Sequence, residues 1–380
     1  MTGPTGVVVE PAADTVKFAQ RVIGEGIGDL TSADSAHAGV LTFGEIHTGL
    51  LQNSTALPSD RVSALLDLVV GERVSRSERP ITYAASPDRL AGVDCSLPSA
   101  SHRDTRAIGT VISHLTVTGG HIVQGSAQTT ILAVHRHGLR LPWSHYLARP
   151  GKLEPIGKLS PADVADGFLT GARRPVTLDV GAISGRAIDE IQASPLLDRK
   201  RPFRTSRTVL RWAVLPPPAG SGNSAAFSID SKTVRTLLLG SAEHEPAAVQ
   251  RLCEDLALHD WLLTTILTLL DNSLDAPGSR AQRVKKLHPA VEWLLHLWMP
   301  GARVDPALLP LWELLDERSG FSKQWRTSVD RIRDQLNLST MTLLEEAGEA
   351  AERAVAAAEK AAAAASASSS ATGPLRSELS

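Results

Sequence analysis

Glu45 and His47 stand two residues apart in the extended-looking run Val40–Thr48, so in a strand their side chains share one face. A carboxylate beside an imidazole can act as a general acid–base pair. On an exposed surface the same two groups are only an ion pair of small value. His135 and His137 repeat this spacing, and with His145, His121 or His114 they would make a three-nitrogen set that leaves a zinc ion one open position. No acidic residue stands at a ligand spacing, and Arg136 and Arg140 add positive charge beside them, so two histidines at a strand end is the plainer reading.

Cys95 lies in Val93-Asp94-Cys95-Ser96-Leu97-Pro98. A nucleophilic thiol needs a depressed pKa, and the neighbouring Asp94 works against one. A small buried residue is the plainer reading. The chain has no Gly-x-Ser-x-Gly elbow for a serine nucleophile. Gly24-x-Gly26-x-Gly28 has the look of a phosphate-cradling loop, but no strong strand precedes it and no Gly-Lys-Ser/Thr follows. No cofactor is called for by these patterns. Arg199, Lys200, Arg201 and Arg204, continued by Arg207 and Arg211 with Phe203 interleaved, form a basic stretch able to neutralise phosphates. A solvated loop leading into a strand is the plainer reading, and nucleic acid is not the expected partner.

The bulk properties set the frame. With 39 basic and 41 acidic residues the net charge is −2, which gives no global attraction to nucleic acid or to an anionic membrane. Two cysteines, Cys95 and Cys253, cannot form a disulfide framework or a four-thiolate zinc site. Leu262–Leu270 is the most apolar stretch and is far shorter than the roughly 20 residues a bilayer span needs. Met1–Lys17 lacks the basic start and apolar centre of a secretory leader. These features lead to the expectation of a reduced, cytoplasmic protein without a membrane segment.

The elements that must position these groups divide the chain. Residues 1–36 read as a mobile arm. Residues 37–240 read as a β-rich α+β domain. Its clearest feature is a hairpin of Ile108–Val117 and His121–Val134 around Thr118-Gly119-Gly120. Strands are expected at Val40–Thr48, Leu139–Leu147, Val176–Val180, Thr208–Leu215 and Ala225–Ile229. Helices are expected after Ser59, after Ser160-Pro161 and after Ser231, the last ending at Gly240. Residues 241–345 read as a helical bundle, because Val249–Leu270 is apolar nearly all round and five of seven tryptophans lie between Trp261 and Trp325. Asp305-Pro306 is a further helix start.

The last helix begins near Ser322 and passes into alanine-rich sequence over 346–380, helical at first and then a low-complexity tail. Val329, Leu336 and Leu343 repeat every seven residues, the period of a coiled-coil seam, and mark this helix as a partner-binding element.

Three stretches, Val40-Leu41-Thr42-Phe43-Gly44-Glu45-Ile46-His47-Thr48, Arg76-Ser77-Glu78-Arg79-Pro80 and Gly92-Val93-Asp94-Cys95-Ser96-Leu97-Pro98-Ser99, precede Gly109-Thr110-Val111 and the Gly119-Gly120 turn. Together they resemble an uncharacterised actinomycete (actinobacterial) protein family with no assigned activity, over residues 38–345. The resemblance implies a cytoplasmic protein encoded in a conserved gene cluster, beside a P-loop-like protein and a methyltransferase-like protein. It carries no catalytic residues over.

The fold expected is α+β: an N-terminal β-rich domain, then a C-terminal helical bundle and a long alanine-rich helix. The favoured function is a non-catalytic, protein-interaction component of a multi-protein cytoplasmic system, its partner another protein such as the product of a neighbouring gene. One alternative is an enzyme whose site gathers Glu45, His47, Cys95, His135 and His137. The other is nucleic-acid binding through residues 199–211.

Overall fold

The computed structural model describes residues 39–101, 105–133, 140–171, 176–217, 223–241, 245–274, 288 and 290–371. His135 and His137, the glycine run at 24–28 and the expected N-terminal arm lie outside the described residues.

Ten strands form one mixed sheet: β1 (Gly39–Leu50), β2 (Ser75–Ser77), β3 (Tyr83–Ala85), β4 (Arg89–Ser96), β5 (Arg106–Thr118), β6 (Ile122–Leu132), β7 (Lys152–Ile156), β8 (Thr208–Leu215), β9 (Ser224–Ile229) and β10 (Val234–Gly240). Their order is β2-β3-β5-β7-β6-β1-β8-β10-β9, with β4 also paired to β5 and β5 also paired to β6. The β5–β6 hairpin forms as its sequence predicts. Gly119 and Gly120 have φ of 59° and 68°, the two left-handed positions of a tight turn closed by the His121 N–H on the Thr118 carbonyl at 3.1 Å. A Cβ at Gly120 would collide with the Leu57 backbone. Gly120→Ala therefore combines left-handed strain with a backbone clash, and a loss of about 2–4 kcal/mol is expected in a chemical denaturation curve.

Among the described residues the helices are α1 (Ser59–Leu66), α2 (Trp143–Leu147), α3 (Pro161–Leu169), α4 (Val180–Gln192), α5 (Pro246–Leu274), α6 (Leu309–Ser319) and α7 (Phe321–Ala371). A π-turn and two short 3-10 turns lie between α5 and α6. The sheet is covered on both faces. Phe43, Ala127, Ala213 and Leu238 face α3 and the start of α4, while Leu115, Val117 and Val123 face α1 and the rest of α4. On the opposite face Ile46, Ile122, Leu210, Trp212 and Leu237 pack against α5, α6 and the first half of α7 in one continuous core. The chain is thus α+β: short helices are interspersed among the strands, and the long helices α5 and α7 follow the last strand. No described helix is long and apolar enough to cross a membrane.

Several local expectations change. Val234–Gly240 is a strand rather than a helix, because it pairs in parallel with β8 and antiparallel with β9. Its apolar run is too short for periodicity alone to decide. Trp143–Leu147, expected as a strand, is a helical turn that starts after Pro142. Val176–Val180 contributes only a single bridge, Thr177 to Ser96, and then Asp179 caps α4 by accepting the Ala182 N–H at 2.9 Å. Ser59 is the first residue of α1 and not its cap, since Pro58 precedes it without a side-chain bond. Ser160 and Asp305 do cap their helices, each accepting a first-turn N–H.

Candidate functional site

Successive side chains of β1 alternate between the sheet's two faces. Phe43, Glu45 and His47 therefore point toward α3 and α4. Antiparallel register sets Glu45 opposite Arg211 of β8. The carboxylate holds both neighbours: His47 Nε2 lies 2.9 Å from Oε1, and Arg211 Nε donates to Oε2 at 3.2 Å. Glu45 is 2% exposed. Gly181 and Gly185, one helical turn apart on α4, let the helix lie directly on this cluster. A Cβ at Gly181 would collide with the Glu45 carboxylate, and one at Gly185 would touch the His47 ring at 3.5 Å. The carboxylate thus sits against the first turn of α4, where the helix dipole favours negative charge. Glu45 fixes the imidazole through Nε2 and leaves Nδ1, which is buried and without a hydrogen-bond partner among the described residues. The dyad has the orientation of a base and its positioning carboxylate. Its free nitrogen, however, faces the packed underside of α4.

Cys95 lies elsewhere. Strands β5, β7 and β6 separate β4 from β1, on the order of 19 Å at strand spacing. Cys95 borders an open hollow of about 400 Å³ with Asp94, Ser96, Arg106, Val176 and Thr177. Burial, and then the Asp94 charge, push its thiol up to about 11, so it stays protonated near neutrality and is no ready nucleophile. The Arg106 hydrogen bond, at 2.7 Å, holds Asp94 below the usual carboxylate range. His145, on α2, lies 2.6 Å from Glu154 of β7, which also accepts from Arg149 at 3.1 Å. Glu45 and His47 are brought together; Cys95 and His145 are not brought to them. Among the described residues no group of three His, Cys, Asp or Glu side chains is placed to hold a metal ion.

The basic stretch divides. Arg207 pairs with Asp189 at 3.0 Å and Arg211 with Glu45. Arg199, Lys200, Arg201 and Arg204 lie exposed on the loop between α4 and β8. The seam expected on the last helix divides as well. Val329 and Leu336 pack against the helical core, whereas Leu343 is 37% exposed. A seven-residue repeat drifts around an α-helix, so its members need not share one environment.

An extensive buried polar assembly among the described residues was not anticipated. Gln124 and Ser126 of β6, Thr48 of β1 and His114 of β5 all face α5, and Gln250 and Glu254 of α5 face them. Glu254 Oε1 lies 2.7 Å from His114 Nε2 and accepts from Ser126 Oγ at 2.6 Å. Its Oε2 accepts from Arg303 at 2.8 Å. The same guanidinium donates to Gln124 Oε1 at 2.8 Å and lies over the Tyr83 ring, 5.0 Å from its centroid. Gln124 closes the loop by donating to the Glu254 backbone carbonyl at 2.8 Å. Burial alone would push His114 down. The Glu254 charge, helped by hydrogen bonds to Asp88 and Glu254, overrides this and raises it to about 10. Burial likewise favours neutral Glu254, yet His114, Arg303 and Ser126 bring it to about 2. With both groups charged and mutually bonded, this is a fastener between sheet and helix rather than a proton-transfer site.

A second buried imidazole acts similarly. His259 Nδ1 donates to the Asp255 carbonyl at 2.6 Å and Nε2 accepts the Met299 N–H at 3.2 Å. Asp255 accepts the Gly301 N–H at 2.8 Å, so α5 holds the irregular 298–304 segment by its backbone. The readable signal for both fasteners was polar residues at strand spacing in β6 and at helical spacing in the otherwise apolar α5. Compared with protein-family models, curated proteins and solved structures, the chain matches none.

Proposed function

We propose that this protein is a non-catalytic docking component that presents the outer half of α7 to another protein of a cytoplasmic assembly, such as the product of a neighbouring gene. The observation that carries the reading is the exposure of a long, two-sided helix. Helix α7 packs on the bundle through Trp325, Ser328, Ile332 and Ser339, and from Leu343 to Ala367 every residue is exposed. From Leu344 to Ala371 the helix continues for about 40 Å at 1.5 Å per residue.

At 100° per residue, Glu345, Glu349, Glu352, Arg353 and Lys360 fall on one side of this extension. Leu344, Ala347, Ala351, Ala354 and Ala358 fall on the other, with Val355 at its border. Leu344 is 68% exposed and Val355 58%. Alanine stabilises the helix without burying much surface of its own, so a broad small-residue face suits close approach to a partner helix or groove.

The test is affinity capture from the native host with the full chain and with Leu344→Glu plus Val355→Glu. Both positions are exposed, so the fold should persist. A partner retained by the first and lost by the second supports the reading. Equal retention, or no partner with either, sinks it. Truncation at residue 330 would be the wrong control, because it removes Ile332, which is 2% exposed in the core.

A further inference from the structure

We infer that the loop carrying Arg199, Lys200, Arg201 and Arg204 is a contact surface for the phosphate backbone of duplex nucleic acid, separate from the α7 extension. All four residues are exposed, and among the described residues none of the four side chains holds a hydrogen bond or ion pair. The acidic neighbours are already engaged. Asp198 takes the N–H and hydroxyl of Ser54 and the Lys200 backbone N–H, and Asp189 takes Arg207. Lys200 lies close enough to Asp198 to lower its pKa, so three cations are wholly uncommitted and the fourth partly so.

The loop is held at both ends rather than loose. Asp198 N donates to Asn53 Oδ1 at 3.0 Å, and Leu197 is buried in the core beneath α1 and α4. On the other side Thr205 bonds Thr265 at 3.1 Å, and the Ser206 carbonyl accepts from Trp261 at 3.0 Å. Arg199 itself has φ of 61°, a left-handed turn at the head of the run. Cations on a pinned loop lose less freedom on meeting a polyanion than cations on a tail.

The chemistry of the loop selects among polyanions. Phe203 is packed against the core, which leaves no exposed aromatic in 199–204 on which an unpaired base could stack. Within 199–204 no exposed apolar side chain is presented for insertion into a bilayer, and the nearest one, Leu196, is a single side chain at 38% exposure rather than an apolar face. What remains is charge that can neutralise phosphates, which gives sequence-independent contact with a duplex.

The experiment is fluorescence anisotropy of the full chain with a labelled DNA duplex of about 20 base pairs, repeated from 50 to 200 mM salt, with the single strand of the same sequence and vesicles of anionic phospholipid as comparisons. For three to four phosphate contacts the log–log salt slope should lie between about −2.7 and −3.6, a loss of roughly 40- to 150-fold over that range. Replacing all four cations with Gln should abolish binding. Arg199→Lys, Arg201→Lys and Arg204→Lys together should preserve the slope, which separates charge from folding. No duplex binding, tighter binding to vesicles or to the single strand, or unchanged binding by a folded Gln variant would each overturn the proposal. Binding that survives Leu344→Glu with Val355→Glu is expected, since the two surfaces are independent.

Discussion

Glu254→Gln should cost about 3–5 kcal/mol of folding stability, because it leaves the buried Arg303 with only neutral partners and His114 with only Asp88 as a counter-charge. The Arg303 side chain is 3% exposed, and its ion-pair partner is Glu254. Glutamine keeps the shape of glutamate but removes the charge that Arg303 and His114 both face. A buried guanidinium left against neutral groups cannot recover its hydration, whereas removing both partners leaves no buried guanidinium, only His114, Ser126 and Gln124 short of a bond each. Glu254→Leu with Arg303→Met should therefore be less damaging than Glu254→Gln alone. Chemical denaturation of Glu254→Leu, Arg303→Met and the double would give the coupling of the pair directly. A Glu254→Gln protein within about 1 kcal/mol of the parent would mean that Arg303 finds water or another acceptor, contrary to its burial.

The same pair fixes a pH window. Glu254 lies at about 2 against an ordinary 4.5, so its stabilisation is present above pH 4.5 and disappears as the pH falls toward 2. His114 is raised from 6.5 to about 10, so its stabilisation is complete below pH 6.5 and is lost as the pH rises toward 10. The groups facing His114 are Asp88, at the exposed end, and Glu254, which in turn holds Arg303. The stability difference between parent and Glu254→Gln should consequently be greatest between pH 4.5 and 6.5 and shrink on either side.

What the sequence disclosed follows the range of the forces involved. The β5–β6 hairpin was legible because two glycines and two β-branched runs act within a few residues. Helix α5 was legible because 29 residues sample the helical period many times. Strand β10 was not, since its seven residues become a strand only when β8 and β9 are beside them. Helix α4 was also missed. Its Gly181 and Gly185 lower helix propensity, and their purpose appears only when Glu45 and His47 lie underneath. Glu45 and His47 were legible as a pair by strand alternation, but their third member, Arg211, comes from 166 residues away. His114, Glu254 and Arg303 come from three separate parts of the chain, so no local spacing could have joined them. The polar beat of Gln124 and Ser126 inside a wholly buried strand was the available sign.

Trp261→Ala should be the most damaging single truncation in the helical core, at about 3–5 kcal/mol. The ring is fully buried at the centre of α5, among residues from the sheet and from α6 and α7. It also carries a polar duty, because its Nε1 donates to the Ser206 carbonyl. Truncation therefore opens a cavity and orphans an acceptor that helps set the exit of the basic loop. Trp261→Phe separates the two effects: it keeps most of the bulk and loses the hydrogen bond, so about 1–2 kcal/mol is expected. If the loop owes its order to this anchor, hydrogen exchange at residues 203–207 should quicken in both variants, and more than the global stability loss accounts for in Trp261→Phe. Exchange that tracks global stability alone would show that Phe203 and Thr205 suffice to hold the loop, and Trp261 would then be a core residue whose indole N–H matters only to itself.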